Sequence, residues 1–287
     1  MALRHRLVVR ALAALLTAVA RAAQSGVTEL PFTPVEHLVI VPVRVNGSRP
    51  LSFVLDSGSA RMVLDRRLVA ELHLSEAEAD TIGGAGAGRI PVRHVRNVNL
   101  ELAGASVPHC EFVTVDLRDV GQQLGHEVDG ILGYEFLDRF VVTIDYRQRR
   151  VQVRGPEEGH GDFGVELPLR LEKGWPFVKA RLRVNRGPET IDEFLVDSGS
   201  NDAVDHPLAG KSGAASPIRS GNGLGSPVPG TLASADLLAL GRIELHDLPL
   251  ASGGGNEQSS RLIGGAVLSQ FVVTFDYPHT RMFLKGY

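Results

Sequence analysis

The sequence predicts an all-β protein that is built from two similar halves. Most apolar residues fall in short runs that end at Gly, Pro, Asn or Asp, a pattern typical of strands joined by turns. Two segments of the 287-residue chain also occur twice in the same order, which indicates a diverged tandem duplication. With 43% apolar and 22% charged residues, the composition is that of a globular protein.

The first repeated segment is an apolar strand that runs into an acidic turn. It reads Phe-Val-Leu-Asp-Ser-Gly-Ser at 53–59 and Phe-Leu-Val-Asp-Ser-Gly-Ser at 194–200. Each strand ends at its acid and the glycine lets the backbone fold over, so Asp56 and Asp197 each lie at the tip of a rigid element. One such turn is usually an ordinary loop. Two copies favour a paired-carboxylate centre, because two like charges that lie close together share one proton.

The second repeated segment lies further along each half. Residues 130–146 match residues 261–277. The two repeated acids are 141 residues apart, whereas Gly133 and Gly264 are 131 residues apart, so the second copy is shorter by ten residues. Residues 67–79 carry good helix formers with apolar spacing, and we predict that this helix is the piece that the second copy lacks.

Several local elements can be predicted from single stretches. Asn-Gly at 46–47 predicts the hairpin that delivers the first acid. A short helix is expected at 134–140 and a polar loop at 118–127. Asp145 and Asp276 also repeat, each in an Asp-Tyr pair between a strand and a turn, and we interpret them as turn-stabilising acids that are not catalytic.

These landmarks together resemble the aspartic proteases, and each half is similar to one subunit of the retropepsin type. In that family each subunit supplies an Asp-Thr/Ser-Gly loop, a glycine-rich flap and a later apolar-apolar-Gly segment. Residues 35–287 contain all three in order, twice. The resemblance implies two retropepsin- or pepsin-like β-barrel lobes that are related by a pseudo-twofold axis and enclose a peptide-sized cleft. The predicted divisions are a first lobe at 27–155, a linker at 156–162 and a second lobe at 163–287.

The resemblance also implies roles for the residues of the two acid loops. Asp56 and Asp197 would be the catalytic pair, in which the ionised acid takes a proton from water and the protonated acid donates to the substrate carbonyl. Ser57 and Ser198 would tie the loops together through their hydroxyls. The glycines would let backbone N–H groups approach the carboxylates. The supporting residues are Ser57, Gly58, Ser59, Ser198, Gly199 and Ser200.

Two glycine-rich segments are candidates for the flaps. Their glycines are Gly84, Gly86 and Gly88 in the first half and Gly223 and Gly225 in the second. The first segment could be mistaken for a dinucleotide-binding loop, but a strand-like stretch follows it where that loop requires a helix. An ordinary surface hairpin is the alternative interpretation. Neither segment carries the Tyr of pepsin-like flaps, so the sequence does not predict the flap contacts with substrate.

The predicted activity is hydrolysis of peptide bonds in an extended polypeptide. No metal or other cofactor is expected, because the ten histidines show no His-Glu-x-x-His spacing and the chain has a single cysteine. We expect that cysteine, Cys110, to be a small buried apolar residue. The alternative function is a catalytically inactive two-lobed peptide-binding or scaffold protein, which the loss of one acid would have favoured. Both acids are present.

The N-terminus resembles a secretory signal peptide. A basic start is followed by an apolar stretch at 7–20 and by small residues, so cleavage near residue 23 is expected, although Arg10 also fits a retained amphipathic helix. An exported protein, periplasmic or secreted, is therefore predicted, with no membrane span after cleavage. Removal of residues 1–23 would take away four arginines and leave 26 basic against 33 acidic residues, a formal charge of about −7. That acidic balance disfavours nucleic acid as a partner.

Overall fold

The computed structural model of the protein describes residues 27–84, 88–102, 105–158, 161–211, 216–220, 224, 228–253 and 260–287. Within these residues the chain forms three β-sheets and four short α-helices, which confirms the predicted all-β class. The predicted signal peptide lies outside the described residues. We call residues 27–155 the first half and residues 163–287 the second half; these divisions stay a prediction.

The first sheet takes all its strands from the first half. They are β2 (Thr33–Val35), β3 (Leu38–Val45), β4 (Leu51–Leu55), β5 (Val63–Asp65), β6 (Glu76–Gly83), β7 (Arg89–Leu102), β8 (Ala105–Val115) and β9 (Gly130–Leu132). Their spatial order is β2-β3-β4-β9-β5-β8-β7-β6. β9 runs parallel to β4 and places Leu132 beside Leu55, immediately before Asp56. The sheet also carries α1 (Arg67–Glu71), α2 (Arg118–Leu124) and α3 (Tyr134–Leu137) at its connections.

The second sheet is built in the same way from the second half. Its strands are β13 (Arg170–Glu172), β14 (Trp175–Val184), β15 (Thr190–Asp197), β16 (Val204–Asp205), β17 (Ser216–Ser220), β18 (Val228–Leu240), β19 (Ile243–Leu245), β20 (Leu248–Ser252) and β21 (Leu262–Gly264). β21 runs parallel to β15 and pairs Ile263 with Val196, the repeat equivalents of Leu132 and Leu55. A 3-10 helix (Pro207–Lys211) and α4 (Gly265–Leu268) complete this half.

A third sheet joins the two halves. It contains β1 (Thr28–Pro31), β10 (Val141–Asp145), β11 (Arg150–Arg154), β12 (Val165–Pro168), β22 (Val272–Asp276) and β23 (Arg281–Lys285), in the order β1-β11-β10-β22-β23-β12. A single-turn 3-10 helix (Tyr277–His279) connects β22 to β23. At the centre of the sheet Thr143 pairs with its own repeat equivalent, Thr274, and their hydroxyl oxygens are 2.9 Å apart. The pairing is symmetric on either side of these two threonines, as expected when a twofold relation links two copies of one strand.

One hydrophobic core runs through all three sheets, and a smaller cluster covers the other face of the first sheet. The alternation of side chains along β3 shows the division, because Val39 and Val41 enter the main core whereas Leu38 and Ile40 enter the smaller cluster. The main core also contains Cys110, which is 1% exposed, as predicted. The two halves are therefore not packed around separate cores.

The helix predicted at 67–79 is largely wrong. Only Arg67–Glu71 is helical, His73 takes a left-handed conformation (φ 51°), and Glu76–Gly83 forms edge strand β6 beside β7. Cross-strand ion pairs such as Arg96–Glu78 accompany this pairing. Tertiary pairing with a long neighbouring strand thus overrides the local helix propensity.

The ten extra residues of the first half are distributed along it. One lies between the acid loop and β5, since Asp56 and Asp65 are nine residues apart while Asp197 and Asp205 are eight apart. The strand pairings place the others after β5 and around α2, which forms where a polar loop was predicted at 118–127. The helix predicted at 134–140 is present in its first part, as α3, which ends at Leu137.

Candidate active site

The two acid loops meet at the centre of the molecule. Asp56 follows β4 and Asp197 ends β15, and both are partly exposed. A Cβ atom on Gly58 would overlap the Asp197 carboxyl group, and one on Gly199 would overlap the Asp56 carboxyl group. Each carboxyl therefore lies against the glycine backbone of the opposite loop, and only glycine leaves room for this approach.

Four hydrogen bonds fasten the loops to each other. The Ser57 hydroxyl donates to the Val196 carbonyl at 2.8 Å and accepts from the Ser198 N–H at 2.9 Å. In the reverse direction, the Ser198 hydroxyl donates to the Leu55 carbonyl at 2.9 Å and accepts from the Ser57 N–H at 3.0 Å. Both serines are fully buried. This symmetric set of bonds fixes the spacing between the two acids.

The environment of the acids favours a shared proton. The Gly58 N–H donates to Oδ1 of Asp56 and the Gly199 N–H donates to Oδ1 of Asp197, each at 2.8 Å. Burial raises the pKa of both acids, and the Asp197 charge raises the pKa of Asp56 further. Since each carboxylate raises the cost of ionising the other, the pair keeps one proton over a pH range between its two macroscopic pKa values.

Ser59 and Ser200 anchor the loops to the short helices behind them. The Ser59 carbonyl accepts from the N–H of Tyr134, the first residue of α3, at 2.9 Å. The Ser200 carbonyl accepts from the N–H of Gly265, the first residue of α4, at 2.7 Å. The Ile-Leu-Gly and Leu-Ile-Gly segments therefore support the acid loops both through strand pairing and through these helix starts.

The flap candidates are only partly described. Gly86, Gly223 and Gly225 lie outside the described residues. Gly84 lies directly against the backbone of Leu224, where a Cβ atom would overlap the Leu224 carbonyl, and Gly88 has a left-handed φ of 97°. Gly84 of the first segment and Leu224 of the second are therefore in contact across the two halves. Their role as flaps stays a prediction.

In the first half, a network of buried carboxylates and an arginine joins the strands next to the acid loop. Asp65 is 2% exposed, and its two oxygens accept from the N–H groups of Arg67 at 2.8 Å and Leu117 at 2.9 Å. The Arg67 guanidinium also binds Asp129, which is fully buried and accepts from the Ser52 N–H at 2.7 Å. Each buried carboxylate in this network therefore has donors.

Among the described residues of the second half, the equivalent acid does not have these donors. Asp205 corresponds to Asp65 and is 4% exposed, but its Oδ1 has no hydrogen-bond partner among the described residues. Pro207 stands where the first half has Arg67, and a proline supplies neither an N–H nor a charge. Burial, together with the nearby Asp202 and Asp197, raises the pKa of Asp205 to about 7.

One contact with the acid loops was not predicted. The hydroxyl of Tyr277 donates to the Ser57 carbonyl at 3.2 Å. Tyr277 belongs to the repeated Asp-Tyr pair, and the repetition of the tyrosine was the feature of the sequence that could have indicated a role for it. Asp145 is the last residue of β10 and accepts from the Gln148 N–H at 2.8 Å, and Asp276 is the last residue of β22 and accepts from the Arg281 guanidinium at 2.8 Å. Each acid therefore bonds across the turn that follows its strand.

Two other kinds of site are absent from the described part of the chain. No group of three or more His, Cys, Asp or Glu side chains there is arranged to hold a metal ion. None of the helices described has the length and apolar character needed to cross a membrane.

A comparison with known protein families finds a match within the first half. The family model described as aspartyl protease matches residues 41–136, a range that includes the first acid loop and ends within α3. No curated protein matches the chain. The match stops before Asp197, so the assignment of the second acid depends on the internal repeat. Residues 41–136 are therefore similar to the retropepsin-like aspartyl protease family.

Proposed function

We propose that the protein is an aspartic endopeptidase in which Asp56 and Asp197 activate one water molecule between them. The ionised carboxylate takes a proton from that water as it attacks the peptide carbonyl. The protonated carboxyl donates its proton to the carbonyl oxygen, which gives a neutral tetrahedral intermediate without a covalent enzyme adduct. Collapse of that intermediate with proton transfer to the leaving nitrogen breaks the peptide bond.

The single observation that carries this proposal is the mutual contact between the loops. Each carboxyl packs against the glycine backbone of the opposite loop, and the serine bonds hold that arrangement. A binding protein without catalytic activity would not require two partly buried acids to lie together at a cost in charge repulsion. We therefore favour the enzyme over the inactive peptide-binding alternative.

The substrate in this proposal is an extended polypeptide that lies between the two acids and the glycine-rich segments. Each half acts as one lobe, and residues 1–23 direct export to a periplasmic or secreted location and are then removed. N-terminal sequencing of the exported protein tests the last point, and an intact Met1 in the functional protein would contradict it.

The test of the proposed activity is turnover of unfolded casein by the purified protein. We expect hydrolysis that a hydroxyl-bearing transition-state mimic stops and that a metal chelator leaves unchanged. Asp56→Asn should be inactive, whereas Asp145→Asn, which changes a repeated acid at the end of β10, should keep its activity. Full activity of a folded Asp56→Asn variant would overturn the proposal.

A further inference from the structure

Two tyrosines at equivalent places in the repeat differ in their hydrogen bonding. Tyr277 is 1% exposed, and its hydroxyl donates to the Ser57 carbonyl at 3.2 Å. The hydroxyl of Tyr146 is also buried, yet none of the described residues forms a hydrogen bond with it. The repeat therefore loses its symmetry directly beside the acid loops.

Different neighbours accompany this difference. The ring of Tyr277 lies 6.3 Å from that of Tyr134, and Tyr277 begins a single-turn 3-10 helix. Gly265 stands at the position equivalent to Tyr134, so Tyr146 has no corresponding aromatic neighbour. Instead, the ring of Tyr146 packs edge-on against Phe32 at 6.0 Å.

The carbonyl that Tyr277 binds belongs to the peptide group whose N–H binds Asp56. The Ser57 carbonyl and the Gly58 N–H are the two ends of one planar peptide group. That N–H donates to Oδ1 of Asp56 at 2.8 Å. A donor bound to the carbonyl end therefore fixes the orientation of the N–H end, and hydrogen bonds at both ends of a peptide strengthen each other.

We propose that Tyr277 is a positioning residue for Asp56 that acts through the Ser57–Gly58 peptide, and that Tyr146 has no such role for Asp197. The inference rests on the proposed peptidase function. A hydrogen bond to a carboxylate favours its charged form and so lowers its pKa. Loss of the Tyr277 hydroxyl should therefore raise the lower macroscopic pKa of the acid pair.

Other ionisable groups face the pair as well. They are the carboxyls of Asp202 and Asp205 and the hydroxyls of the two tyrosines. Burial raises the pKa of Tyr277, so its hydroxyl remains a donor at acid and neutral pH. Asp202 and Asp205 are unchanged in both tyrosine variants, so a difference between the variants reports the missing hydroxyl.

The test compares Tyr277→Phe with its matched control, Tyr146→Phe, on casein between pH 3 and 8. Tyr277→Phe should lower kcat about threefold to tenfold, the effect of one hydrogen bond, with KM within about twofold of wild type. The acid limb of its pH profile should move to higher pH. Tyr146→Phe should keep the wild-type kcat and profile, and should unfold at the same or a higher temperature. An unmoved profile in Tyr277→Phe, or equal effects in both variants, would overturn the inference.

A second measurement separates this inference from the proposed function. Carboxyl ¹³C NMR titration of the acid pair needs no turnover, and the lower pKa should rise in Tyr277→Phe only. If the wild-type protein hydrolyses nothing, the proposed function fails and the titration alone decides the role of Tyr277. If Tyr277→Phe does not fold, the double variant Tyr146→Phe/Tyr277→Phe is compared with Tyr146→Phe in the same titration. Failure of both to fold would make Tyr277 a structural residue and would overturn the positioning role.

Discussion

The two halves hold equivalent acid loops with different supports. In the first half, Asp65 accepts hydrogen bonds from two backbone N–H groups and lies beside the Arg67 guanidinium. In the second half, Oδ1 of Asp205 has no hydrogen-bond partner among the described residues, since Pro207 has no N–H where Arg67 supplies one. The contacts between the loops are symmetric, whereas the supports behind them are not. We infer that the two copies kept the glycine and serine contacts between the acid loops after duplication, whereas the residues around Asp65 and Asp205 diverged.

The symmetric contacts between the two acid loops predict the largest effect on activity. Gly58→Ala and Gly199→Ala should each lower kcat/KM by roughly a thousandfold, because a Cβ atom in either loop displaces the opposite carboxyl and disrupts general acid/base catalysis. Casein turnover measures the effect. Gly286→Ala is the control, since its added Cβ has no atom within 4 Å. A large loss for one loop glycine and none for the other would show that the loops are not equivalent.

The different environments of Asp65 and Asp205 predict that replacing these two equivalent acids has opposite effects on stability. The pKa of Asp205 is about 7 in the folded protein, against about 3.9 in an unfolded chain. Between these values the unfolded chain releases a proton that the folded protein keeps, so the free energy of unfolding falls as pH rises, by about 4 kcal/mol in all. Asp205→Asn should remove this loss and be more stable than wild type at pH 8, with little difference at pH 4.

Asp65→Asn is the matched variant in the first half. It weakens two hydrogen bonds of a buried carboxylate, so it should lower the free energy of unfolding at pH 8 by about 1–2 kcal/mol. Urea unfolding at several pH values measures both variants. Destabilisation of the protein by Asp205→Asn at pH 8 would contradict the proposed difference between the two supports.

The serine bonds make a smaller, symmetric prediction. Ser57→Ala and Ser198→Ala each remove one hydroxyl and leave a buried N–H and a buried carbonyl of the other loop unpaired. Each should lower the free energy of unfolding by about 2–3 kcal/mol, and the two values should agree within about 1 kcal/mol. Urea unfolding at pH 5 measures them. A loss confined to one serine would show that a single loop carries the contact.

The repeat explains why so much of the site could be predicted. Two Asp-Ser-Gly-Ser turns at strand ends predicted that these acids, serines and supporting strands meet, and the structure brings them together. Their catalytic role stays a prediction. The helix at 67–79 was wrong because pairing of 76–83 with β7 is a tertiary contact that propensity does not contain.

Two further features could not be predicted from local patterns. The bond from Tyr277 to Ser57 joins residues 220 positions apart, and neither residue alone indicates it. The replacement of Arg67 by Pro207 is visible in the sequence, but its effect depends on the burial of Asp205. Both features depend on which side chains meet across the fold.

The most direct test of the paired-acid account is a double-mutant cycle on Asp56 and Asp197. If both acids act on one water molecule, Asp56→Asn and Asp197→Asn should each lower kcat by about 10³–10⁴, and the double variant should lose little more. Thermal unfolding of each variant establishes that it is folded. Near-full activity of folded Asp197→Asn, or losses that multiply in the double variant, would contradict the claim that each half contributes one acid to a single catalytic pair.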